Sequence, residues 1–260
     1  MTTRRPPARS EASSETTDEE ARFLAAYDPS DYDRLSVAVD VVLISAFDGH
    51  LFTLLARRRE HPHKNRWALP GGFVRPKESL EDAAARLLEG KGKLSGVFLE
   101  QLYTFGAPER DPRTRVVSIA YYALVEQKRF VGMGDRDPDV LTPRLRIPWE
   151  GERGGPVEAL AADGRPLPLA FDHAEMLGTT VKRLRGKLDY APIGFELLGE
   201  TFTLLDLQRV HEAVLGRSVN KDSFRRRMLG TGLLKATGKS QSGVVHRPAE
   251  LYRFARRPKE

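Results

Sequence analysis

The pattern of apolar and polar positions predicts a β-sheet in the first half of the chain. A β-branched run from Leu35 to Phe47 is followed, after Asp48-Gly49, by a second apolar run from Leu51 to Ala56. An Asp-Gly pair between two such runs is typical of a β-hairpin. Two further strand-like runs extend from Val97 to Phe105 and from Val116 to Val125.

A helix is expected between these two pairs of strands. Apolar residues recur at helical spacing from Ser79 to Glu89, and Gly90 and Gly92 are expected to end the helix. The order strand, strand, helix, strand, strand indicates a mixed α/β fold. Prolines recur between residues 126 and 170, so this segment is expected to be irregular and to close the first domain.

The last quarter of the chain has the layout of a winged helix-turn-helix, in which a strand hairpin forms the wing. The expected elements are a helix over Leu204 to Leu215 with Thr203 as its cap and Gly216 as its end, a helix over Lys221 to Leu229 with Asn220 as its cap, a strand over Leu233 to Thr237, a turn over Gly238 to Gly243 and a strand over Leu251 to Phe254.

These elements divide the chain into four parts. Residues 1–20 have almost no apolar content and are expected to be a disordered tail, with a short helix favoured from Glu19 to Tyr27. Residues 21–170 are expected to form the α/β domain, residues 171–200 a connecting helix and linker with Asp172 as the helix cap, and residues 201–260 the winged helix.

The charged residues are distributed unevenly between the two expected domains. The net charge of the 260 residues is +6, but residues 201–260 carry 13 Lys and Arg against 5 Asp and Glu. This asymmetry favours a module that binds a polyanion, with a merely solubilising surface as the alternative. The absence of cysteine excludes disulfides, thiolate zinc ligands and a cysteine nucleophile. Without a membrane span or signal peptide, a soluble cytoplasmic protein is expected.

The second helix of the winged-helix layout is the candidate reader of the DNA major groove. Its three consecutive arginines cannot all enter one groove, because successive residues of a helix turn by about 100°. Some would therefore contact phosphates while others read bases; a solvated charged face is the alternative. The candidate DNA-binding residues are Asn220, Lys221, Ser223, Arg225, Arg226, Arg227, Lys239, His246 and Arg247.

The stretch from Gly72 to Leu94 resembles a Nudix box. That motif reads G, five residues, E, seven residues, R-E-U-x-E-E-x-G-U, where U is aliphatic. Gly72, Glu78 and Arg86 stand at the required spacing, as do the aliphatic residues Leu88 and Leu94. In the family, the glutamates that follow the arginine share one face of a helix and jointly hold a magnesium ion.

This chain departs from the motif at those glutamates, which are replaced by Leu87, Gly90 and Lys91, while Lys93 replaces the later glycine. A hard divalent cation needs several oxygen ligands, so neither a metal site nor hydrolysis is expected. The surviving Glu78 and Arg86 are expected to pair and to fix the loop against the helix.

The loop before the box is expected to bind a ligand. Its sequence WALPGG resembles the W-x-L-P-G-G segment of Nudix proteins, where glycine allows close backbone approach. Arg57, Arg58 and Arg59 follow one strand, and the segment from Glu109 to Arg113 lies between two strands at the same expected end of the sheet. A phosphate-bearing ligand could contact both groups, although a solvated rim of arginines is the alternative. Trp67 is more often a packing residue than a stacking platform. The candidate effector-binding residues are Arg57, Trp67, Gly71, Gly72, Arg75, Glu78 and Arg110.

Residues 30–255 together resemble the NrtR family of Nudix-related transcriptional regulators. The resemblance rests on WALPGGFV, DPRTRVVSIAYYALV, FDHAEML, FTLLDLQRVHEAVLG, NKDSFRRRML and HRPAELYRF. It implies a Nudix-type mixed-sheet α/β/α sandwich followed by a winged helix-turn-helix. It further implies a homodimeric repressor of NAD biosynthesis or salvage genes that senses a nucleotide such as ADP-ribose. A two-fold dimer would bind a site in double-stranded DNA whose sequence is an inverted repeat.

Two rival functions remain open at this point. One is an active Nudix hydrolase of ADP-ribose-like nucleoside diphosphates with an appended nucleic-acid-binding module. The other is a sensor or scaffold whose C-terminal domain contacts protein instead of DNA. Neither rival accounts together for the wing, the arginine helix and the missing glutamates.

Overall fold

A computed structural model describes residues 11–188, 193–242 and 248–255. These residues fall into two units, divided between Leu35 and Ser36. The first unit contains helix α1 (Glu11–Ala26) and a 3-10 turn, Pro29–Asp31, capped by the carboxylate of Asp28. α1 begins at Glu11 instead of Glu19, so it includes half of the expected disordered tail. Its described side chains are exposed, which indicates a helix formed by local preference without a core.

The second unit is built on a mixed sheet. The strands are β1 (Ser36–Phe47), β2 (His50–Thr53), β3 (Leu55–Arg57), β4 (Trp67–Ala68), β5 (Gly71–Phe73), β6 (Phe98–Phe105), β7 (Val116–Leu124), β8 (Val140–Leu141), β9 (Arg144–Arg146) and β10 (Glu158–Leu160). The central strand β1 is long and buried, pairs antiparallel with β2 through the predicted Asp48-Gly49 turn, and runs parallel to β7. Among the described residues the sheet order is β10-β9-β2-β1-β7-β6, with β5 also paired to β1.

The segment expected to be irregular contains regular structure. A short helix, α3 (Gln127–Phe130), precedes β8, β9 and β10. β9 and β10 extend the main sheet beyond β2, and β8 pairs with β3. Pro143 and Pro148 lie outside the ends of β9, where a missing N–H costs no ladder hydrogen bond. The prolines therefore bound these short strands without preventing them.

Two helices cover the two faces of the sheet. On β1, Val39, Val41 and Leu43 face one core and Val42 and Ile44 face the other, as strand alternation requires. Helix α2 (Leu80–Gly92) packs on the first face and helix α4 (His173–Lys187) on the second. The predicted sandwich is confirmed, and α4 is one of its layers, not a free connector. We call residues 36–188 the sandwich.

Helix α2 continues through Gly90 and ends at Gly92, the second of the two glycines that were expected to end it. Its C-cap is Lys93, which adopts the left-handed conformation with φ 53° and donates its N–H to the carbonyl of Glu89. Glycine is the residue that adopts this conformation without strain. The Nudix glycine that Lys93 replaces therefore corresponds to a position that requires positive φ.

The described residues from 193 onward form a winged helix, as predicted, and we call them the winged-helix module. Thr203 and Asp206 form a reciprocal capping box at the start of the first long helix, and Asn220 caps the second. Phe195 and Leu198 pack on the module's core, so the module begins before Thr201. Its elements are α5 (Ile193–Glu196), α6 (Leu204–Leu215), α7 (Lys221–Gly230), β11 (Leu234–Ser240) and β12 (Glu250–Phe254).

Helix α6 belongs to two cores. Leu207 packs inside the winged-helix module with Phe224 of α7. Val210, Ala213 and Val214 are buried in the same apolar cluster as the α4 side of the sandwich. The winged-helix module is therefore packed against the sandwich through α6. In the part of the chain that is described, no helix is both long and apolar enough to cross a membrane.

Candidate ligand pocket and nucleic-acid interface

A pocket opens where β1, β5 and the segment between β6 and β7 meet the start of α4. It is an open pocket, whose volume is about 470 Å³ when the solvent-filled mouth is included. Glycine backbone and phenylalanine rings form much of its wall, and its charged or titratable lining residues are three arginines, two aspartates and one histidine.

Asp40 is the buried carboxylate of this pocket. The hydroxyl of Ser118 donates a 2.6 Å hydrogen bond to Asp40 Oδ2, and Arg110 Nη2 lies 3.7 Å from the same oxygen. A Cβ at Gly71 would lie 1.9 Å from Asp40 Oδ1. Glycine is required at position 71 because the loop backbone passes directly over this carboxylate.

Arg110 is paired within the protein. Its Nε and Nη2 donate hydrogen bonds of 2.9 and 2.7 Å to the two oxygens of Asp172, and its side chain is only 4% exposed. Asp172 stands at the N-cap of α4, as predicted, but its carboxylate makes no capping hydrogen bond. The pair instead joins the segment between β6 and β7 to the start of α4.

His173, the first residue of α4, is fully enclosed beside this pair. Its Nδ1 accepts a 2.9 Å hydrogen bond from the N–H of Leu69, and its Nε2 lies 3.7 Å from Asp40 Oδ1. Because Nδ1 is the acceptor, the neutral ring carries its proton on Nε2. Burial lowers the pKa of His173, although Asp40 and Asp172 oppose the shift. The ring is therefore held neutral.

Arg58 is the pocket's cation without a carboxylate partner. Among the described residues no acid lies within ion-pair distance of it, and its Nε donates to the carbonyl of Pro62 at 2.8 Å. Its guanidinium carbon lies 4.7 Å from the ring centre of Phe171. Burial, and then the charge of Arg113, lower the pKa of Arg58. This positive charge is available to an anionic ligand.

Arg113 and Phe73 lie at the mouth of the pocket. Arg113 donates to both oxygens of Asp111, at 3.0 and 2.7 Å, and this hydrogen bonding lowers the pKa of that carboxyl. The guanidinium of Arg113 lies 5.4 Å from the ring centre of Phe73, which is 47% exposed. The mouth therefore presents an accessible aromatic ring beside a partly neutralised cation.

Three of the seven residues predicted for ligand binding, Gly71, Gly72 and Arg110, line the pocket, and Arg57 does not. The Nε of Arg57 pairs with Asp139 at 2.8 Å. Arg57 is exposed while its neighbour Arg58 lines the pocket, because successive residues of an extended chain point to opposite sides.

Trp67 also lies outside the lining, as a packing residue. Its N–H donates to the carbonyl of Pro168 and its carbonyl accepts from the N–H of Ala170, so β4 anchors the segment before α4. The half-buried ring packs on the core of the sandwich, and the guanidinium of Arg57 lies 5.7 Å from its centre.

Glu78 and Arg86 form the predicted pair, outside the pocket lining. Arg86 donates to both oxygens of Glu78, at 2.5 and 2.8 Å, and Glu78 also accepts from the N–H of Arg75. Hydrogen bonding to Arg86 lowers the pKa of Glu78 to about 2. Both oxygens of this carboxylate are thus occupied in fixing the loop against α2, and Arg75 contributes its backbone to that loop.

The positions that carry metal-binding glutamates in a Nudix box hold other groups here. A Cβ at Gly72 would lie 3.0 Å from a methyl of Leu87, so an apolar side chain packs against the glycine loop. Gly90 and Lys91 are exposed. Within the described ranges, no three His, Asp or Glu side chains cluster closely enough to hold a metal ion.

The pocket is also lined by residues that are not among the candidate effector-binding residues, namely Asp40, Arg58, Asp111, Arg113, Phe171 and His173. A signal was present for some of them. The segment DPRTR, residues 111–115, lies between two strands and directly follows Arg110. The segment FDH, residues 171–173, opens a predicted helix, and its Asp172 and His173 are polar side chains that can bond to a neighbouring loop. Asp40 carried a weaker signal, a lone acid inside an apolar strand.

Helix α7 presents its charges to solvent. Phe224 and Met228 are buried, while Arg225, Arg226 and Arg227 are exposed. Arg226 is two residues from both buried positions, which places it about 200° from each, directly opposite the core.

The other two arginines lie on the flanks of α7. The guanidinium of Arg227 is 5.8 Å from the ring centre of Phe224. Arg225 lies on the side of the wing strand β12, where the hydrogen bond to Glu250 raises the pKa of Tyr252 and the charge of Arg225 opposes the shift. The remaining candidates that are described, Asn220, Lys221, Ser223 and Lys239, are all exposed, and His246 and Arg247 lie outside the described residues.

Comparisons with known proteins agree with both halves of this architecture. The family model described as "NUDIX domain" matches residues 34–143, and the model described as "NrtR DNA-binding winged helix domain" matches residues 194–254. An "ADP-ribose pyrophosphatase" of Methanocaldococcus jannaschii is 38% identical over 125 residues, which are 48% of this chain and 62% of that protein.

Two other proteins match more of the chain. The "ADPR responsive transcriptional repressor NtrR" of Acinetobacter baylyi is 35% identical over 238 residues, 91% of this chain and 88% of that protein. Shewanella oneidensis NrtR complexed with a 27mer DNA has 35% identity and a TM-score of 0.69, over 84% of this chain and 93% of that one. The NUDIX domain of the same Shewanella protein, complexed with ADP ribose, has 32% identity and a TM-score of 0.50, over 64% of this chain and 98% of that one.

The match to the Acinetobacter repressor extends over both the sandwich and the winged-helix module, and the two family models meet those same parts of the fold. The chain belongs to the NrtR family.

Proposed function

We propose that this protein is a transcriptional repressor that binds DNA through its winged-helix module and responds to ADP-ribose bound in the pocket of its sandwich. The observation that carries the proposal is Arg58, a partly buried cation with no acidic partner in the described part of the chain, in a pocket beside a Nudix helix that has lost its metal-binding carboxylates. Such a pocket suits binding an anion without hydrolysing it.

ADP-ribose fits the chemistry of this pocket. Its diphosphate would be bound by Arg58 and, at the mouth, by Arg113, since guanidinium groups match phosphate oxygens in geometry and charge. Phe171 and Phe73 offer apolar faces to the adenine or ribose rings. The relatives support this assignment, because one is named as ADPR responsive and the NUDIX domain of another was crystallised with ADP ribose.

We further propose that the protein is a regulator and not an enzyme. Metal-dependent hydrolysis of a diphosphate requires carboxylates that hold the ion against the substrate. Leu87 packs on the glycine loop at one of these positions, and Glu78 has both oxygens bound to Arg86. The residues present therefore do not fit a magnesium site of the Nudix type.

In the proposed DNA complex, α7 lies in the major groove. Arg226, Ser223 and the start of the helix would approach base edges, and Arg225 and Arg227 on its flanks would contact phosphates. Lys239 in β11 would contact the backbone beside the wing. The protein would act as a homodimer on an inverted repeat in front of genes of NAD biosynthesis or salvage.

Selection of bound sequences from random duplex DNA tests the DNA-binding half of the proposal. The expected result is one inverted repeat with half-sites about one helical turn apart. Affinity for it should fall strongly as salt rises and should fall about 10-fold or more in Arg226→Ala, the order of one good base contact. No preference over random duplex would indicate that the module contacts protein and would exclude this proposal.

An active hydrolase is the competing function, favoured by the identity to an ADP-ribose pyrophosphatase. Incubation of ADP-ribose with the protein and magnesium or manganese distinguishes the two. We expect recovery of intact ADP-ribose. Release of AMP that is abolished in Glu78→Gln would establish the hydrolase instead.

A further inference from the structure

Helix α4 reaches from the pocket to the winged-helix module. Asp172 and His173 at its start are bonded to the pocket wall through Arg110 and Leu69. Arg185 lies in its last turn, twelve residues after His173, or about 18 Å along the helix axis. One rigid element therefore touches both candidate functional regions.

Arg185 joins three segments of the chain. Its Nε donates a 2.8 Å hydrogen bond to the carbonyl of Val214 in the last turn of α6. Its Nη1 donates to the carbonyls of Trp149 and Gly151 in the sandwich, at 3.2 and 2.9 Å. The guanidinium carbon also lies 4.8 Å from the ring centre of Trp149. Arg185 therefore forms a polar link between the sandwich and α6.

The setting of Arg185 is unusual for a charged group. It is only 6% exposed, and within the described residues no carboxylate lies at ion-pair distance from it. Burial lowers its pKa, yet a guanidinium stays charged in proteins. On the side of the winged-helix module, this charge is compensated by the carbonyl end of α6, where the helix dipole is negative.

The end of α6 is shaped to receive this side chain. Gly216 ends α6 in the left-handed conformation with φ 70°. A Cβ at Gly216 would lie 2.9 Å from Arg185 Nη2. Val210, Ala213 and Val214 bury the adjoining face of α6 in the core of the sandwich. The orientation of the winged-helix module is thus set at α6 by a buried apolar face and by Arg185.

We propose that Arg185 is a positioning residue that couples occupancy of the pocket to the winged-helix module. This inference rests on the proposed function. A ligand that attracts Arg110 or displaces Asp172 moves the start of α4, and Arg185 carries that displacement to the end of α6. Without the Arg185 contacts, ADP-ribose and operator bind independently.

The experiment compares Arg185→Gln with wild type in the full-length chain. Affinity for ADP-ribose is measured by calorimetry, and affinity for the selected operator is measured with and without saturating ADP-ribose. In wild type we expect the operator dissociation constant to change about 5- to 150-fold on adding ADP-ribose, the usual range of allosteric coupling. We call the operator dissociation constant with ADP-ribose divided by that without it the coupling ratio. In Arg185→Gln the coupling ratio should fall to within about 2-fold of 1, with ADP-ribose affinity unchanged.

Arg183→Gln is the matched control. Arg183 lies on the same helix, and its partners among the described residues belong to the sandwich: it donates to the carbonyl of Leu102 at 2.8 Å and pairs with Glu100 at 3.6 Å. This variant should keep the wild-type ratio. A residue with a merely structural role would lower thermal stability and leave the ratio intact, so an unchanged ratio in Arg185→Gln overturns the proposal.

Two further measurements cover the remaining outcomes. If Arg185→Gln does not fold, Arg185→Lys takes its place, because lysine retains the charge but cannot bond to all three carbonyls. The coupling ratio for Arg185→Lys should then lie between the wild-type value and 1.

If ADP-ribose has no effect on operator binding by the wild-type protein, the proposed function fails. Hydrogen exchange then tests whether Arg185 holds α6 against the sandwich. Arg185→Lys should speed amide exchange in the last turn of α6 and leave the exchange rates of β1 unchanged. Equal exchange would overturn it.

Discussion

The guanidinium carbon of Arg58 lies 4.7 Å from the ring centre of Phe171, whose own backbone is held at φ 48°. Positive φ in an aromatic residue is a strained conformation that persists where the surrounding structure over-determines it. Here it directs the ring under the one arginine of the pocket that has no acidic partner among the described residues.

Replacing this arginine tests the pocket. We expect Arg58→Ala to weaken ADP-ribose binding about 10- to 100-fold, because a hydrogen bond to a charged group contributes roughly 1.5 to 3 kcal/mol. Calorimetric titration measures the change. Arg57→Ala is the control, since Arg57 is paired with Asp139 away from the pocket, and it should bind as wild type. Equal loss in both variants would contradict the assignment.

The Arg110–Asp172 pair should stabilise the fold. Removing one partner leaves the other charge buried, which typically costs about 3 kcal/mol or more. Arg110→Met should therefore lower the free energy of unfolding by about 3 kcal/mol in urea denaturation. Arg165→Met removes the exposed pair with Asp163, whose side chains are 85% and 49% exposed, and should have no measurable effect. A stable Arg110→Met protein would show that the pair contributes little.

Acid should destabilise the protein through His173. Burial lowers the pKa of His173 in the folded state, so below about pH 6.5 the unfolded chain binds a proton that the folded chain does not. The free energy of unfolding should therefore be constant above pH 6.5 and decrease below it, by at most about 1.4 kcal/mol per pH unit from this group.

The variant His173→Gln isolates that contribution. Its free energy of unfolding, followed from pH 7.5 to 5, should show a smaller slope than that of wild type. His63, whose pKa is also lowered by burial, contributes equally to both proteins. Parallel curves for wild type and His173→Gln would show that the ring is not held neutral.

The C-cap of α2 offers a test of the departure from the Nudix motif. Lys93 adopts φ 53°, which costs a side-chain-bearing residue roughly 1 kcal/mol. Lys93→Gly should raise the free energy of unfolding by about that amount. Lys91→Gly, in the last helical turn, should lower it by a similar amount because glycine disfavours helix. A destabilised Lys93→Gly protein would contradict the cap geometry.

The sequence predicted those elements that have strong local signals. The limits of α6 follow from Thr203 and Gly216, which are favourable caps at its two ends. β8, β9 and β10 have two or three residues each, and such short strands form only by pairing with distant segments. Local pattern therefore could not predict them.

The pocket was predicted in place but not in detail. The glycine loop and the arginines after two strands indicated where it would lie. The choice between Arg57 and Arg58 depends on which side of the chain each residue faces. The chain passes at Leu54 from β2 in the main sheet to β3 in a second sheet, and this break sets which side each arginine faces. Phe171 and His173 join the pocket from about a hundred residues away, through the packing of α4 on the sheet.

The affinity for the selected operator, measured with and without saturating ADP-ribose at one fixed salt concentration, decides whether the pocket and the winged-helix module are coupled. We expect specific binding to an inverted repeat, with a dissociation constant that changes at least about 5-fold when ADP-ribose is added. An identical dissociation constant in both conditions, with ADP-ribose shown to be bound, would contradict it.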